Sequence, residues 1–415
     1  MKKYDVAVIG GGFAGVAAAI AAARGGAKVL IVEKSNSSGA AAMTALVNPF
    51  MQYSTKINGE KVALSTGIFR EIHKRLEDFG SMGGESFLEE DLKFILNEIA
   101  EEEGISLLYH AYIFKVNKEG DKIKSIVVAT IKGEMEIEAD YFIDATGDAQ
   151  VAYLGGCPVM LGRAKDNLCQ PMTLCFRVGN IDIPKFKEGR AKLNEAYAKA
   201  FADGEFLNER ENLLIFGTPL PNVLHFNTTR VVKKNPTDPE DVTEAEILVR
   251  KQVYEVYNFI KKHGEGLENS FLMMTAQEIG VRESRKIIGD YVLTEADCRA
   301  FTKFEDGIAA CNYDIDIHNP EGSGTSHYYF PDGEYYTIPY RSLIPTGLSN
   351  MLVAGRCISA DHGAQASFRI MPTVCCIGEA AGSAIAMAFN GKSSVRAVDI
   401  QVLRETLKKN GAFIG

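Results

Sequence analysis

The alternation of apolar and polar segments at the start of the chain predicts a strand, a helix and a second strand. Residues 4–9 form a short apolar run that is typical of a buried strand, and glycines follow it at once. An alanine-rich segment then predicts a helix that runs to Arg24, because Gly25 and Gly26 can end it with positive φ. Residues 28–32 predict the second strand, so the segment reads as one β-α-β unit.

Hydrophobic spacing up to residue 150 predicts two more helices and several short strands. The apolar positions with helical spacing are Phe69, Ile72, Leu76 and Phe79 in the first helix and Leu92, Ile95, Leu96 and Ile99 in the second. The predicted strands are 105–109, 123–131, 134–138 and 140–145, with a hairpin turn at 132–133.

Strand-like runs mix with a long helical pattern in the middle of the chain. The runs at 172–178 and 223–232 predict strands, and 244–263 predicts a helix with its apolar side chains on one face. Thr243 and Glu246 have the spacing of a capping box, which predicts that the helix begins there.

The last part of the chain again shows the pattern of a buried strand followed by a helix of small residues. Residues 351–354 predict a buried strand, and small residues from Pro372 to position 388 predict a helix. A chain of 415 residues is longer than one hydrophobic core usually serves. We therefore expect an α/β fold in which 1–150 and 335–415 form a mostly parallel sheet covered by helices, and 151–334 form a mixed α+β domain.

Composition and charge exclude several classes of partner and of site. The formal net charge of −9 gives no broad positive field, so we expect no nucleic-acid partner. The eight cysteines include no C-x-x-C pair, which argues against zinc and iron–sulfur sites, and we predict no metal. The N-terminus does not fit a signal peptide and no segment reaches the length of a membrane span, so we expect a cytoplasmic protein without one.

The glycines after the first strand predict a dinucleotide site. Gly10, Gly12 and Gly15 form a G-x-G-x-x-G motif between a strand and a helix, and Glu33 ends the second strand. In such a motif the first glycine permits the turn, the second admits a pyrophosphate, and the third lets helix pack on strand. The helix N-terminus offers free N–H donors to phosphates, and Glu33 can accept hydrogen bonds from ribose hydroxyls.

Six segments together resemble the FAD-dependent oxidoreductases of the glutathione-reductase-like superfamily. They are 8–15 with Glu33, ADYFIDATGD at 139–148, VRESRKIIGDYVLTEAD at 281–297, IPYRSLIP at 338–345, LVAGRCIS at 352–359 and ASFRIMPTVCCIGEAAG at 366–382. The resemblance covers nearly the whole chain. It implies a Rossmann-like FAD-binding domain at 1–150 and 335–415 and a substrate domain at 151–334.

The same resemblance implies where FAD is held. Residues 145–147 would pass near the adenosine end, 355–356 near the ribityl and pyrophosphate, and the helix from Pro372 would point its N-terminus at the flavin. The amides of Thr373 and Val374 are expected to be free to stabilise a reduced flavin. The predicted FAD contacts are Gly10, Gly12, Phe13, Ala14, Gly15, Glu33, Lys34, Gly39, Ala40, Ala145, Thr146, Gly147, Gly355, Arg356, Arg369, Pro372, Thr373 and Val374.

Two related classes of flavoenzyme are disfavoured by single features of the chain. It contains no tryptophan, which flavin halogenases carry beside their site. Aromatic monooxygenases carry Gly-Asp before the last helix, whereas Arg356 follows Gly355 here. Cys375 and Cys376 are expected to be buried small residues rather than a redox pair.

Four residues are the candidates for catalysis: His318, His362, Arg282 and Arg341. His318 and Asp316 share one face of a predicted strand, and His362 precedes the last helix. The arginines suit a substrate carboxylate or an anionic flavin. A structural histidine and a buried salt bridge from Arg282 to a neighbouring acid such as Glu283 remain alternatives.

We expect hydride transfer between a small polar, or anionic, substrate and flavin N5, in the direction of a dehydrogenase or oxidase. His318 or His362 would take the proton, and an electron acceptor not identified by the sequence would reoxidise the flavin. One alternative is a reductase of an activated C=C bond, in which Arg282 or Arg341 would polarise the acceptor or donate a proton. Another is a non-catalytic flavin-binding partner protein.

Overall fold

The computed structural model describes residues 3–415. The strands are β1 (Tyr4–Ile9), β2 (Val29–Val32), β3 (Ser54–Ile57), β4 (Glu60–Ala63), β5 (Met82–Gly83), β6 (Ser86–Phe87), β7 (Ser106–Leu108), β8 (Tyr112–Glu119), β9 (Lys122–Thr130), β10 (Gly133–Asp144), β11 (Val159–Leu161), β12 (Phe176–Gly179), β13 (Ile215–Gly217), β14 (Leu224–Phe226), β15 (Phe271–Thr275), β16 (Arg285–Ile287), β17 (Gly307–Cys311), β18 (Ile317–His318), β19 (Thr325–Ser326), β20 (Tyr336–Pro339) and β21 (Met351–Val353). The helices are α1 (Phe13–Arg24), α2 (Ala41–Thr44), α3 (Ile68–Phe79), α4 (Glu89–Glu102), α5 (Gln150–Leu154), α6 (Ile183–Ala202), α7 (Pro239–His263), α8 (Glu295–Arg299), α9 (His362–Phe368), α10 (Met371–Gly391) and α11 (Ile400–Lys409), with 3-10 turns at Tyr340–Leu343 and Val395–Ala397.

One large sheet joins the two ends of the chain. Its strand order is β7-β2-β1-β10-β9-β8, and β21 pairs with the second half of β10 on the edge opposite β1. Strands β7, β2, β1, β10 and β21 run parallel, whereas β8, β9 and the first half of β10 form an antiparallel meander. The predicted strands 134–138 and 140–145 are therefore one continuous strand, which changes partners half-way along. The expected α/β architecture of this part is confirmed.

Helices α1 and α10 pack face to face on this sheet because small residues line their contact. A Cβ atom at Gly378 would lie 2.0 Å from the carbonyl oxygen of Ala14, and one at Gly382 would lie 2.1 Å from that of Ala18. Helix α10 is long and apolar enough to cross a membrane, but 89% of its most apolar window is buried in the protein. Its hydrophobicity is accounted for by its position in the core.

A second, smaller core lies between a four-stranded sheet and two helices. The sheet has the order β13-β14-β12-β15, and α6 and α7 cover one face of it through residues such as Leu193, Val249 and Val256. Residues 287–315 of the predicted substrate domain contribute buried side chains such as Ile287 and Ile315 to the first core instead. The division of the chain at 150 and 335 stays a prediction.

The predicted start of helix α7 was wrong. The helix begins at Pro239, and the Asp238 carboxylate caps it by accepting from Glu240 N at 2.9 Å and Asp241 N at 3.2 Å. Thr243 lies inside the helix and donates its hydroxyl to Pro239 O at 2.7 Å. Asp followed by Pro is itself a strong start signal, and Asp238 lies five residues before Thr243.

Candidate functional site

The turn between β1 and α1 has the geometry that the glycine motif predicts. Gly10 has a φ of +101°, and a Cβ atom there would lie 2.3 Å from the carbonyl oxygen of Ala145. A Cβ atom at Gly15 would lie 1.8 Å from the carbonyl oxygen of Gly10, so helix and strand touch without a side chain between them. The first backbone N–H groups of α1 have no partner within the helix and are available to an anion.

Glu33 closes this turn from the end of β2. Its side chain is buried and accepts hydrogen bonds from Gly11 N at 2.6 Å and Ser35 N at 2.8 Å. Each carboxylate oxygen can still accept a further bond, as from a ribose hydroxyl. The nearby hydroxyl of Ser37 is buried and has no partner among the described residues. Both observations fit the ribose end of a dinucleotide.

The end of β10 and the loop after β21 meet beside this turn. Asp144 is fully buried and accepts from Thr146 Oγ1 at 2.7 Å, and burial raises its pKa. Arg356 Nη2 donates to Asp148 Oδ1 at 2.9 Å, and its guanidinium packs so closely on Gly147 that a Cβ atom there would lie 2.8 Å from Cζ. The structure thus brings together the predicted contacts at 145–147 and 355–356.

The N-terminus of α10 differs in one respect from the prediction. Ile370 is the N-cap, Met371 and Pro372 begin the helix, and Val374 N already donates to Ile370 O at 3.0 Å. The Val374 amide is therefore not free, and the free donors of this end are the amides of Met371 and Thr373, since proline has none.

Four arginines form a cluster around one edge of the β18–β19 hairpin. They are Arg210, Arg230, Arg282 and Arg369, and we call them the arginine cluster. Arg210 and Arg230 are buried, whereas Arg282 and Arg369 keep part of their surface accessible. These two arginines are the members of the cluster with partial solvent access.

His318 is held between this cluster and Asp316. Arg210 Nη1 and Arg230 Nη2 both lie 3.2 Å from His318 Nδ1, and arginine can only donate. Nδ1 must therefore be the acceptor, so the ring proton is on Nε2, 3.3 Å from Asp316 Oδ2. Burial and the charge of Arg282 hold the pKa of His318 well below its usual range.

A second histidine, His362, forms a dyad with Glu283. His362 Nδ1 lies 2.7 Å from Glu283 Oε2, although the N–H direction is not yet aligned for a full hydrogen bond. Glu283 is completely buried and also contacts Lys286 Nζ at 2.5 Å. Burial would raise the pKa of Glu283, but His362 and Lys286 outweigh it and lower that pKa. Glu283 is therefore an ionised carboxylate beside the imidazole of His362.

Two glutamines connect the dyad to the arginine cluster. Gln170 N donates to Glu283 Oε2 at 3.0 Å, and its side-chain amide donates to Gln365 Oε1 at 3.1 Å. Gln365 in turn donates to Arg282 O at 2.8 Å. The two histidines thus belong to one continuous polar region.

Comparison with known proteins assigns the family. A family model described as FAD dependent oxidoreductase matches residues 5–407. The chain belongs to the FAD dependent oxidoreductase family. It is an enzyme, and FAD is its cofactor. No curated protein matches the sequence.

Solved structures of low identity share the fold of this oxidoreductase. The flavin-dependent brominase Bmp2 is 13% identical with a TM-score of 0.50, over 97% of this chain and 83% of its own. CabE, an aromatic hydroxylase from angucycline biosynthesis, is 12% identical with a TM-score of 0.50, over 100% of this chain and 70% of its own. A geranylgeranyl bacteriochlorophyll reductase-like protein from Thermoplasma acidophilum is 12% identical with a TM-score of 0.48, over 99% of this chain and 84% of its own. At this identity the first two show the fold alone.

The residues at the predicted FAD contacts fit the cofactor. The glycines at the β1–α1 turn leave the end of α1 bare, Glu33 has acceptor capacity for a ribose, and Arg356 Nε is a buried donor without a partner in residues 3–415. Lys34 pairs with Glu278 at 3.3 Å, and Gly39 and Ala40 lead from the Glu33 loop into α2. Their contacts to FAD stay a prediction.

The four predicted catalytic residues do not all meet. Arg282 and His318 belong to the arginine cluster and its hairpin, and His362 joins them through the glutamines. Arg341 lies elsewhere: its guanidinium pairs with Asp306 at 2.9 Å and packs on the Tyr291 ring. No contact within residues 3–415 links Arg341 to the other three.

Several sequence interpretations of single residues need correction. The alternative of a salt bridge from Arg282 to Glu283 is not realised, because the Arg282 guanidinium donates to Pro171 O at 2.7 Å, Thr173 Oγ1 and Asn227 Oδ1 instead. A polar residue in the helical pattern of 69–79 is expected in solvent, but His73 is buried there and contacts Glu85 at 3.4 Å. Cys375 is buried as expected, and burial raises its pKa well above the usual range.

Sequence reasoning missed half of the arginine cluster and the acid of the dyad. Arg210 and Arg230 lie in segments without any recognisable motif, so no signal in the sequence points to them. Glu283 lies inside the VRESRK segment, where its position beside arginines predicts only an ion pair. Its place beside His362 depends on a contact between residues far apart in the chain, which spacing cannot show.

Proposed function

We propose that this oxidoreductase oxidises a small polar substrate and that His362 accepts the proton released in the reaction. When bound, FAD supplies the acceptor for the hydride. The residues of the chain would bind and orient the substrate, exclude water and take the proton. The observation that carries the proposal is the contact of His362 with a buried carboxylate beside a partly open polar region.

The Glu283–His362 dyad has the properties of a general base. A carboxylate at Nδ1 places the ring proton on that nitrogen and leaves the lone pair of Nε2 free. No hydrogen bond occupies Nε2 in the part of the chain that the structure describes. Because the side chain of His362 is 14% exposed, Nε2 can reach a molecule in the open space.

His318 is the weaker candidate for this role. Its Nδ1 already accepts from two guanidinium groups, and its Nε2 carries the proton directed at Asp316. Burial also lowers its pKa, so protonation is disfavoured. We propose that His318 instead orients Asp316 and the arginine cluster.

A reductase of an activated C=C bond is the second candidate, and Arg282 is the residue that favours it. Burial, with the charges of Arg369 and Arg210, lowers the pKa of Arg282 to about 9. A guanidinium with such a pKa can donate a proton to a developing carbanion. The non-catalytic alternative is set aside, because the chain belongs to a family of enzymes.

Eight free and buried cysteines support the expectation of a reducing, cytoplasmic location.

An anaerobic screen tests the proposal and its direction. The FAD-loaded protein is mixed with hydroxy acids, amino acids, polyols and sugars while its visible spectrum is recorded. We expect one compound to bleach the flavin bands. If none does, and chemically reduced protein is instead reoxidised by an unsaturated acid, the proposed direction is wrong and the reductase is correct.

A further inference from the structure

Two guanidinium groups of the arginine cluster have no carboxylate as an ion-pair partner among the described residues. Arg230 contacts Glu211 Oε2 at 3.2 Å, and Arg369 lies 3.6 Å from Asp316 Oδ2. Each of these two guanidinium groups thus has one carboxylate partner. Within residues 3–415, the other two have none.

The two unpaired guanidinium groups are held by neutral acceptors only. Arg282 donates to Pro171 O at 2.7 Å, Thr173 Oγ1 at 2.5 Å and Asn227 Oδ1 at 3.3 Å. Arg210 donates to Asn212 Oδ1 at 2.8 Å and to His318 Nδ1. These contacts fix the direction of both side chains without removing their charge.

Such an arrangement is unfavourable for the protein alone. Burial lowers the pKa of Arg230 to about 10, and Arg210 contributes to that shift by repulsion. Like charges gathered away from water destabilise a fold unless a counter-charge arrives. A cluster that the fold keeps at this cost is typical of a site for an anion.

The charge and shape of the groups define the anion. Guanidinium groups without an ion-pair partner suit an anion, and their planar forks match carboxylates, to which arginine binds through two parallel hydrogen bonds. Arg282 and Arg369 are the members with partial solvent access, and Gln365 donates to the backbone oxygen of Arg282, the residue that precedes Glu283. The cluster and the proposed base thus belong to the same polar region, which Gln170 and Gln365 connect.

We infer that the substrate of this enzyme is a small dicarboxylate, bound by the arginine cluster. This inference rests on the proposed function, since it assigns the substrate class of the same site. Inorganic phosphate shares the double negative charge, but it carries that charge on one compact group and not on two planar carboxylates. The difference in shape makes the two ligands distinguishable in a binding experiment.

Calorimetric titration of the FAD-loaded protein tests the inference. The probes are oxalate, malonate, succinate and glutarate, with succinamide as the neutral analogue of succinate and inorganic phosphate as the compact dianion. We expect one dicarboxylate to bind with a stoichiometry of one, at least tenfold more tightly than phosphate, and succinamide not to bind. The result that overturns the inference is that no dicarboxylate binds at 10 mM (about the weakest binding such a titration detects), or that phosphate binds as tightly as the best of them.

Matched variants locate the binding site. Arg282→Gln and Arg210→Gln each remove one unpaired guanidinium and are expected to weaken dicarboxylate binding at least tenfold. Arg250→Gln removes the same charge from an exposed position on α7 and is expected to leave the dissociation constant unchanged. Equal binding by Arg282→Gln and the wild type would also overturn the inference.

Thermal unfolding keeps the test valid if a variant folds poorly. The bound dicarboxylate is expected to raise the melting temperature of the wild type and not that of Arg282→Gln, whatever their starting values. A failure of dicarboxylate binding can be distinguished from a failure of flavin reduction. If another compound reduces the flavin and no dicarboxylate binds, only the inference is wrong; if a dicarboxylate binds and nothing reduces the flavin, only the proposed function is wrong.

Discussion

Glu379 is a carboxylate buried in the middle of α10, at the contact with α3. It is 1% exposed and accepts a hydrogen bond from Ile68 N at 3.0 Å, so it caps the first turn of α3 from another element. A Cβ atom at Gly67 would lie 2.2 Å from its Oε2, which shows how tightly the carboxylate is enclosed. Burial raises the pKa of Glu379 to about 7.

This raised pKa makes the stability of the protein depend on pH. The folded state holds the proton up to about pH 7 while the unfolded state releases it at its ordinary value of 4.5, so stability falls as pH rises between these values. The shift corresponds to about 3 kcal/mol in total. Glu379→Gln keeps the acceptor for Ile68 N and removes the charge. We expect chemical denaturation at pH 5 and pH 8 to show a smaller loss of stability in the variant, and an equal loss in both proteins would contradict the burial argument.

Residue contacts were predictable where they follow from local alternation. The spacing of Asp316 and His318 placed both on one face of a strand, and the structure puts their side chains 3.3 Å apart. The arginines that fix the tautomer of His318 come from positions about a hundred residues away, and nothing local in a sequence reports such a distance. The sequence therefore predicts the strand face on which a side chain lies better than it predicts the hydrogen-bond partners that fix its tautomer.

Helices α1 and α10 determine how the two ends of the chain meet. Their contact depends on glycines in α10 that admit the backbone of α1, whose first turn is the predicted phosphate site. The small residues of α10 predict a tightly packed helix. They do not show which element packs against it, because many elements could do so. The partner follows only from the order of the strands in the sheet.

A single added methyl group at this contact tests its importance. In Gly378→Ala the Cβ atom would lie 2.0 Å from Ala14 O, so the helices must move apart. We expect a loss of several kcal/mol in stability, or failure to fold, and weaker retention of FAD because Ala14 lies in the first turn of α1. Melting temperature and the ratio of FAD to protein after gel filtration measure both effects.

The matched control is Gly391→Ala at the other end of α10. The nearest atom to a Cβ there is Ser393 Oγ at 3.6 Å, an ordinary contact. Because alanine favours the helix, this variant is expected to be as stable as the wild type or slightly more stable. A Gly378→Ala protein with the melting temperature and FAD content of the control would show that the helices are not in close contact.

The whole molecule places its polar region where the two cores meet. Arg177 of the four-stranded sheet pairs with Glu89 at the start of α4, and both side chains are buried. His362 and Glu283 meet across the same boundary. Sequence motifs identified the dinucleotide half of the site, because glycines and Glu33 act through local geometry. The proposed substrate half was not predictable, because its residues converge only when the second core packs on the first.

Anaerobic stopped-flow reduction of the bound FAD tests the central claim most directly. With a compound that bleaches the flavin, the rates of the wild type, His362→Gln, His318→Gln and the exposed control His263→Gln are compared from pH 5 to pH 9. Removing a general base is expected to slow the step by about 10²–10⁴-fold. We predict this loss and a flat pH profile for His362→Gln, a smaller loss with the wild-type profile for His318→Gln, and no change for the control. A His362→Gln protein that reduces its flavin at the wild-type rate would contradict the account.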